Sequence, residues 1–317
     1  MKHEEVYKLS DLFARYLLGK NGNEDLLTDL VNSTLREFNF EEVKDLEIID
    51  PSPKAGFSLN LSENIELKES IIDIPKGTPS AKAKTKDNQT VIIEIQLCGN
   101  MDFLKRIFYY ISKNVINEVT LTAGRRQEGE NYNNVQKIIS INLLDFNLKF
   151  GDEGKAHRCF KLIDTKDLNI SLDLIQIHIL EVKRFIEIIK NSTKEELKKN
   201  RLLSWMKFFT SDNLELIEEE LKEENQIMSK VIEEYRKFTS DDKMMRAYAA
   251  REAFLVGQKM MLRREREDGF DEGIEEGIKR GIKERNYSIA KTLKQMNMDN
   301  GSISKATGLT IDEIEKL

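Results

Sequence analysis

The sequence predicts an α/β protein with a mixed central sheet flanked by helices, followed by an all-helical C-terminal extension. Three patterns support this fold class. Runs of β-branched residues such as 91–95 indicate buried strands, apolar residues at helical spacing surround those runs, and nearly everything after Lys183 has helical spacing. The first half therefore has the order helix, strand, strand, strand, helix, strand (αβββαβ), which is typical of helices packed on a sheet.

Composition limits the class of protein. The chain has 317 residues, of which 39% are hydrophobic and 33% are charged, enough for one large domain and an appendage. It contains no run of about 18 apolar residues, and residues 1–5 lack the core of a signal peptide, so we expect a cytoplasmic protein without a membrane segment. The cysteines Cys98 and Cys159 do not have zinc-site spacing. The net charge of −6 means that DNA binding would depend on local basic clusters or on metal ions.

The elements of the first half follow from spacing and turn residues. Predicted helices span 6–20, 26–35 and 101–122. Predicted strands span 46–49, 70–74, 91–96, 135–146, 160–163 and 172–182. The lysine run at 82–86 is interpreted as a solvated strand edge, with a binding patch as the alternative, and Asp87-Asn88 is predicted to form a turn.

The second half is predicted to be helical. We expect three parts: a first domain at 1–190, a helical extension at 191–267 and a C-terminal part at 268–317. The extension begins with capping-box spacing from Thr193 to Glu196. The last part has a glycine at every fourth position, which indicates either a self-association helix, and hence a homo-oligomer, or a linker: Gly269, Gly273, Gly277 and Gly281. Residues 303–314 resemble half of a helix-turn-helix and are interpreted as a small packing module.

Two acidic residues lie on predicted apolar strands. Glu94 and Gln96 share one face of strand 91–96, and Asp73 lies on the preceding run. An unpaired buried carboxylate costs several kcal/mol, so these acids need a partner. Two carboxylates on adjacent strands can share Mg²⁺, which prefers oxygen ligands. The alternative is structural: the acids cap strands or pair with Lys68 or Arg106.

A second acidic pattern competes with the first. Asp173 and the sequence Glu181-Val182-Lys183 have the form D…ExK, which contains a lysine that the first pattern lacks. Glu181, however, ends a predicted strand that leads directly into a helix. The alternative interpretation is an ordinary surface pair between Glu181 and Lys183, worth less than about 1 kcal/mol.

The chain resembles a known family over nearly its whole length. The residues that carry the resemblance are KESIIDI at 68–74, IEIQ at 93–96 and RIFYYISK at 106–113, together with the glycine-repeat tail. They are similar to the Rpn family of recombination-promoting nucleases and transposases, within the PD-(D/E)XK nuclease superfamily. The resemblance implies a restriction-endonuclease-like fold. Relative to the family pattern, 75–81 and 120–126 look like insertions.

The resemblance also implies a site and an activity. Asp73 corresponds to the superfamily aspartate, Glu94 to the (D/E) position and Gln96 to the position usually held by lysine. Asp73 and Glu94 would hold Mg²⁺ or another divalent cation. The implied auxiliary residues are Asp11, Arg106 and Tyr110. The implied function is a metal-dependent DNA endonuclease, and the alternative is a catalytically inactive DNA-binding or interaction protein descended from one.

Overall fold

The computed structural model describes residues 6–49, 79–97, 103–122, 135–148 and 154–317. The predicted strand at 70–74 and most of the two predicted insertions lie outside these residues. The chain divides into two compact units, Met1–Arg251 and Glu252–Leu317. Within the described part of the chain, no helix combines the length and the apolar character needed to cross a bilayer.

A mixed sheet forms the centre of the first unit. Its strands in the described residues are β1 (Glu47–Ile48), β2 (Ala81–Lys84), β3 (Thr90–Gln96), β4 (Ile138–Leu144), β5 (His157–Ile163) and β6 (Ser171–Glu181). They lie in the order β1-β2-β3-β4-β6-β5. β3, β4 and β6 are mutually parallel, and the remaining pairings are antiparallel. The predicted mixed α/β fold is therefore confirmed.

The lysine run occupies a different place from the one predicted. β2 pairs with β1 on one side and with β3 on the other, so it lies inside the sheet and is not a solvated edge. Ala81 and Ala83 are fully buried, whereas Lys82 and Lys84 are half-buried on the opposite face. Alternation of alanine with lysine thus matches the period of a strand with one well-buried face. The predicted turn at Asp87-Asn88 is present, with Asn88 at φ 62°.

Helices cover both faces of the sheet. Among the described residues up to the end of β6, the helices are α1 (Asp11–Gly19), α2 (Glu24–Arg36) and α3 (Phe103–Thr122). One face of the sheet buries Ile92 in a cluster with Phe103 and Ile107 of α3. The other face buries Val91, Ile93 and Ile95 in a larger cluster to which α1 and α2 contribute. Glu94 and Gln96 share the face of Ile92, because side chains alternate along a strand.

The helices after β6 belong to the same compact unit. They are α4 (Val182–Asn191), α5 (Lys194–Lys199), α6 (Arg201–Thr210), α7 (Glu218–Glu224) and α8 (Met228–Ser240). The predicted capping box of Thr193 and Glu196 opens α5. Trp205 on α6 is fully buried, and its indole Nε1 donates to Asp29 Oδ2 on α2 at 2.9 Å. Phe185 and Leu197, on either side of the domain boundary predicted at residue 190, are buried in the same core cluster.

The second unit contains most of α9 (Asp242–Gln295), followed by α10 (Asn300–Thr307) and α11 (Ile311–Glu315). Its small core contains Ala290, Ile303, Leu309 and Ile314. Gly308 ends α10 at φ 71°, and Thr310 caps α11 through a capping box with Glu313. The glycine in the turn and the threonine cap match the sequence prediction.

Candidate functional site

Glu94 lies inside the sheet, and one of its carboxylate oxygens has no hydrogen bond to any described residue. The side chain is 6% exposed, and Oε2 accepts a hydrogen bond from Gln96 Nε2 at 2.8 Å. Oε1 is buried and has no hydrogen-bond partner among the described residues. Burial raises the pKa of Glu94 to about 7, against the lowering effects of the Gln96 hydrogen bond and of the positive charges of Arg15 and Arg106. A buried oxygen in this state is suited to a cation.

Gln96 connects Glu94 to helix α3. Its Oε1 accepts a hydrogen bond from Arg106 Nη2 at 2.7 Å, while its Nε2 donates to Glu94. The three residues form a hydrogen-bonded series, here called the Glu94–Gln96–Arg106 chain. Arg106 Nε is buried and lacks a hydrogen-bond acceptor in the described part of the protein. The Glu94–Gln96–Arg106 chain therefore ends in an N–H group that can donate a hydrogen bond to an anion.

Tyr110 lies one helical turn beyond Arg106, on the same side of α3. Burial raises the pKa of its phenol, and the negative charge of Glu94 raises that pKa further. The Tyr110 phenol therefore lies close enough to the Glu94 carboxylate for the two groups to interact electrostatically. Sequence reasoning thus grouped Glu94, Gln96, Arg106 and Tyr110, and the structure brings these four together.

Asp11 has another partner. It begins α1, which Ser10 caps by accepting a hydrogen bond from the Phe13 amide. Asp11 Oδ2 accepts from Arg251 Nε at 3.0 Å and from Arg251 Nη2 at 2.7 Å. Its predicted auxiliary role stays a prediction, since this bidentate pair, and not the Glu94–Gln96–Arg106 chain, is the contact that the structure gives it.

Two residues near Glu94 were not predicted. Arg15, one helical turn after Asp11, lowers the pKa of Glu94 through its charge. Asn142 is the register partner of Glu94 on the parallel strand β4 and is fully buried. Asn142 Nδ2 donates to the backbone oxygen of His178 at 3.0 Å. The sequence signal for Asn142 was its polar side chain inside the apolar run IISINLL.

The metal prediction depends partly on Asp73, which lies outside the described residues. Among the residues that are described, no group of three or more His, Cys, Asp or Glu side chains could hold an ion. Glu94 fits the role of one ligand, because carboxylate oxygen suits Mg²⁺ and Oε1 is buried without a hydrogen bond to any described residue.

The competing D…ExK pattern is spread over the length of β6. Asp173 and Glu181 are eight residues apart on this strand, which corresponds to roughly 25 Å at the rise of a β-strand. Asp173 pairs with Lys137 at 2.9 Å, and Lys183 pairs with Asp145 at 3.2 Å. Two carboxylates so far apart cannot bind one ion.

Comparison with known families gives one match. A family model described as PD-(D/E)XK nuclease family transposase matches residues 8–265, which include Glu94, Gln96, Arg106 and Tyr110. The resemblance recognised in the sequence is thereby confirmed. Neither the curated proteins nor the solved structures gave a match.

Proposed function

The chain belongs to the PD-(D/E)XK nuclease family transposases, a nuclease-like family, and from this premise we propose that it is a metal-dependent DNA endonuclease. Hydrolysis of phosphodiester bonds is the proposed reaction. The observation that carries the proposal is Glu94 Oε1, a buried carboxylate oxygen without a hydrogen bond among the described residues. Asp11 and Glu181 also have one oxygen without a hydrogen bond, but their other oxygens accept from arginines, whereas the only hydrogen-bond partner of Glu94 among the described residues is the neutral Gln96 amide.

The proposed metal ligands are Asp73 and Glu94. A divalent cation supplies charge neutralisation at the phosphate and activation of the attacking water in phosphodiester hydrolysis. Asp73 and Glu94 offer the hard carboxylate oxygens that Mg²⁺ prefers.

Gln96 is proposed to position the other groups. An amide has two N–H groups and an oxygen with two lone pairs, so its bonds to Glu94 and Arg106 leave one of each for water or phosphate. An amide cannot accept a proton at neutral pH, so Gln96 would orient the water and would not deprotonate it.

Arg106 is proposed to contact the phosphate. Its guanidinium is permanently charged, and its Nε–H has no acceptor among the described residues. Tyr110 would line the same cleft from the next turn of α3. Asp11 remains the auxiliary acid of this proposal, paired with Arg251.

A cleavage assay tests the proposal. Full-length protein and a Glu94→Ala variant are incubated with plasmid DNA, with Mg²⁺ or with a chelator. We expect cleavage by the unmodified protein with Mg²⁺ only, and at least about a hundredfold less cleavage by Glu94→Ala. Equal activity of the two proteins would overturn the site. Retention of DNA without cleavage in any divalent metal would identify the alternative, an inactive DNA-binding descendant.

Self-association is proposed for the second unit alone. A Cβ added at Gly269, Gly273, Gly277 or Gly281 would meet no atom of the described chain within 4 Å. Each glycine is followed by an exposed apolar residue: Phe270, Ile274, Ile278 and Ile282. Truncation before Asp268 is expected to lower the number of chains per particle measured by light scattering, and an unchanged number of chains would exclude a homo-oligomer formed through these helices. The cytoplasmic location stays a prediction of the sequence.

A further inference from the structure

The outward side of helix α3 carries aromatic and basic side chains. Phe108 is 64% exposed and Tyr109 is 61% exposed. Lys105 and Lys113 are also exposed on this helix. These four residues are called the α3 outer face. Large exposed aromatic groups are costly to leave in water without a function.

Helical geometry arranges the four residues in one strip. Lys105, Tyr109 and Lys113 are spaced by four residues, so they lie along one side of α3 over about 12 Å. Phe108 is the immediate neighbour of Tyr109. The strip is therefore an aromatic pair with a cation at each end.

The α3 outer face adjoins the proposed catalytic cleft. The rings of Tyr109 and Tyr110 are in T-shaped contact, with centroids 5.7 Å apart. Tyr110 lies one helical turn after Arg106, whose Nη2 donates to Gln96 Oε1 at 2.7 Å. A polymer bound in the cleft would thus continue onto Tyr109 and Phe108.

Charge favours a polyanion as the occupant. The sequence from 103 to 116 contains Lys105, Arg106 and Lys113 but no aspartate or glutamate. Another exposed apolar surface among the described residues of this unit, the hairpin of β5 and β6, differs in its charge. Its turn carries Asp164 and Asp167 beside Lys166, and its exposed apolar residues are mainly aliphatic, such as Leu168 and Leu172, with Phe160 as an aromatic member. Compared with this hairpin, the α3 outer face combines two adjacent aromatic rings with charges that are all positive.

We propose that the α3 outer face binds unpaired nucleotides next to the cleaved bond, so that the preferred substrate is single-stranded or locally unpaired DNA. This proposal rests on the proposed nuclease function and specifies its substrate class. Every unpaired base offers a ring face on which Phe108 or Tyr109 can stack, while Lys105 and Lys113 attract the backbone. Bases inside an intact duplex are already stacked on each other and offer no such face.

Binding of matched DNA probes tests the proposal. Fluorescence anisotropy of the full-length protein is measured without divalent metal, using a labelled 20-nucleotide single strand and the blunt duplex of the same sequence. We expect the single strand to bind at least about tenfold more tightly at equal salt, because stacking of one base contributes roughly a tenfold change in affinity. Equal or tighter binding of the duplex would overturn the proposal.

Two sets of variants separate stacking from other causes. The double variant Phe108→Ala/Tyr109→Ala should weaken single-strand binding roughly thirtyfold or more and duplex binding less than about threefold. Phe108→Tyr/Tyr109→Phe keeps both rings and should retain single-strand binding. Leu168→Ala/Leu172→Ala on the β5 and β6 hairpin is the control for loss of exposed apolar surface, and it should bind both probes as the unmodified protein does. Far-UV circular dichroism checks that each variant is folded.

The cleavage assay distinguishes failure of this proposal from failure of the nuclease function. Cleavage that persists while the alanine variant binds both probes normally would overturn the α3 outer face and leave the nuclease function standing. Ring-dependent binding of single strands without any cleavage would support the α3 outer face and overturn the nuclease function. Absence of binding to both probes would overturn the α3 outer face, and the cleavage assay with Mg²⁺ would decide the nuclease function separately.

Discussion

Two glutamates on parallel strands of the same sheet have similar flanking sequences but different hydrogen-bond and ion-pair partners. Glu94 on β3 is followed by Ile-Gln, and Glu181 on β6 is followed by Val-Lys. Both side chains are buried, at 6% and 1% exposure. Glu181 Oε2 accepts hydrogen bonds from Arg184 Nε at 2.7 Å and from the Leu148 amide at 2.9 Å. Arg158 Nε lies 4.0 Å from Oε1 of Glu181.

Glu94, by contrast, has an amide as its only hydrogen-bond partner among the described residues. The comparison teaches that a match to the ExK pattern says less about chemistry than the partners of the carboxylate do. A glutamate between two arginines and a backbone amide is held in one place by its neighbours. Oε1 of Glu181 likewise lacks a hydrogen bond in the described part of the chain, but Arg158 Nε lies 4.0 Å from it. A buried carboxylate whose only hydrogen-bond partner among those residues is a neutral amide keeps a coordination position for an ion.

The largest expected contrast is in stability. Glu181→Gln removes the negative charge between Arg158 and Arg184, so we expect the free energy of unfolding to fall by about 2–3 kcal/mol. Glu94→Gln removes a buried charge that is costly in the metal-free protein, so its stability at pH 8 should stay the same or rise. Urea denaturation with chelator measures both. Glu187→Gln, at an exposed pair with Lys190, is the control. Equal losses of unfolding free energy in Glu181→Gln and Glu94→Gln would contradict the distinction between the two glutamates.

A fall in pH should change the contributions of the histidine pair and of Glu94 to the free energy of unfolding in opposite directions. His157 on β5 and His178 on β6, the strand of Glu181, are in register with Leu180 and Cys159, respectively, and His157 Nε2 lies 3.1 Å from His178 Nδ1. Burial lowers the pKa of His157 to about 3 and that of His178 to about 4. The unfolded chain therefore binds more protons below about pH 6.5, and stability is lost as the pH falls from there toward 4.

We expect this loss to be about 2 kcal/mol at pH 5 for each of the two histidines. Glu94 acts in the opposite direction, because its raised pKa gives stability that is present below about pH 4.5 and is lost as the pH rises through 7. The pH series is best measured in the Glu94→Gln background without metal, between pH 7.5 and 5, with and without His157→Gln. An acid slope that His157→Gln leaves unchanged would contradict the assignment to the histidine pair.

Gln96 and Lys183 occupy the third position of the two glutamate patterns, and their substitution should affect DNA cleavage differently. Gln96→Ala removes both hydrogen bonds of the Glu94–Gln96–Arg106 chain, so we expect roughly tenfold slower DNA cleavage at saturating Mg²⁺. Gln96→Glu tests the same contacts with a side chain of equal size that can still accept from Arg106. Initial rates on plasmid DNA provide the measurement. A Gln96→Ala protein with full activity would remove Gln96 from the site.

Sequence reasoning predicted the fold and most of this site for identifiable reasons. The β-branched runs specified β3, β4 and β6, since such residues suit buried parallel strands. Alternation along β3 correctly separated Glu94 and Gln96 from Ile93 and Ile95. The position of β2 was missed, because β1, which covers its edge, comes from residues far earlier in the chain. The Asp11–Arg251 pair was missed for the same reason, as its residues are 240 positions apart.

The smallest expected effect belongs to Lys183, which would be the catalytic lysine if the ExK pattern on β6 were the active one. Its Nζ lies 3.2 Å from Asp145 Oδ1, and its side chain is 56% exposed. Exposed pairs of this kind contribute little, so Lys183→Ala should change the free energy of unfolding by less than about 0.5 kcal/mol and leave DNA cleavage unchanged.

Lys190→Ala is the matched control for Lys183→Ala. Lys190 lies on the same helix, is 63% exposed and pairs with Glu187 at 2.9 Å. Urea denaturation and initial cleavage rates are compared for the two variants. A cleavage defect in Lys183→Ala that Lys190→Ala lacks would mean that Glu181 and Lys183 act in catalysis. The uncommitted oxygen of Glu94 would then need another explanation, and the contrast between the two glutamates would be reversed.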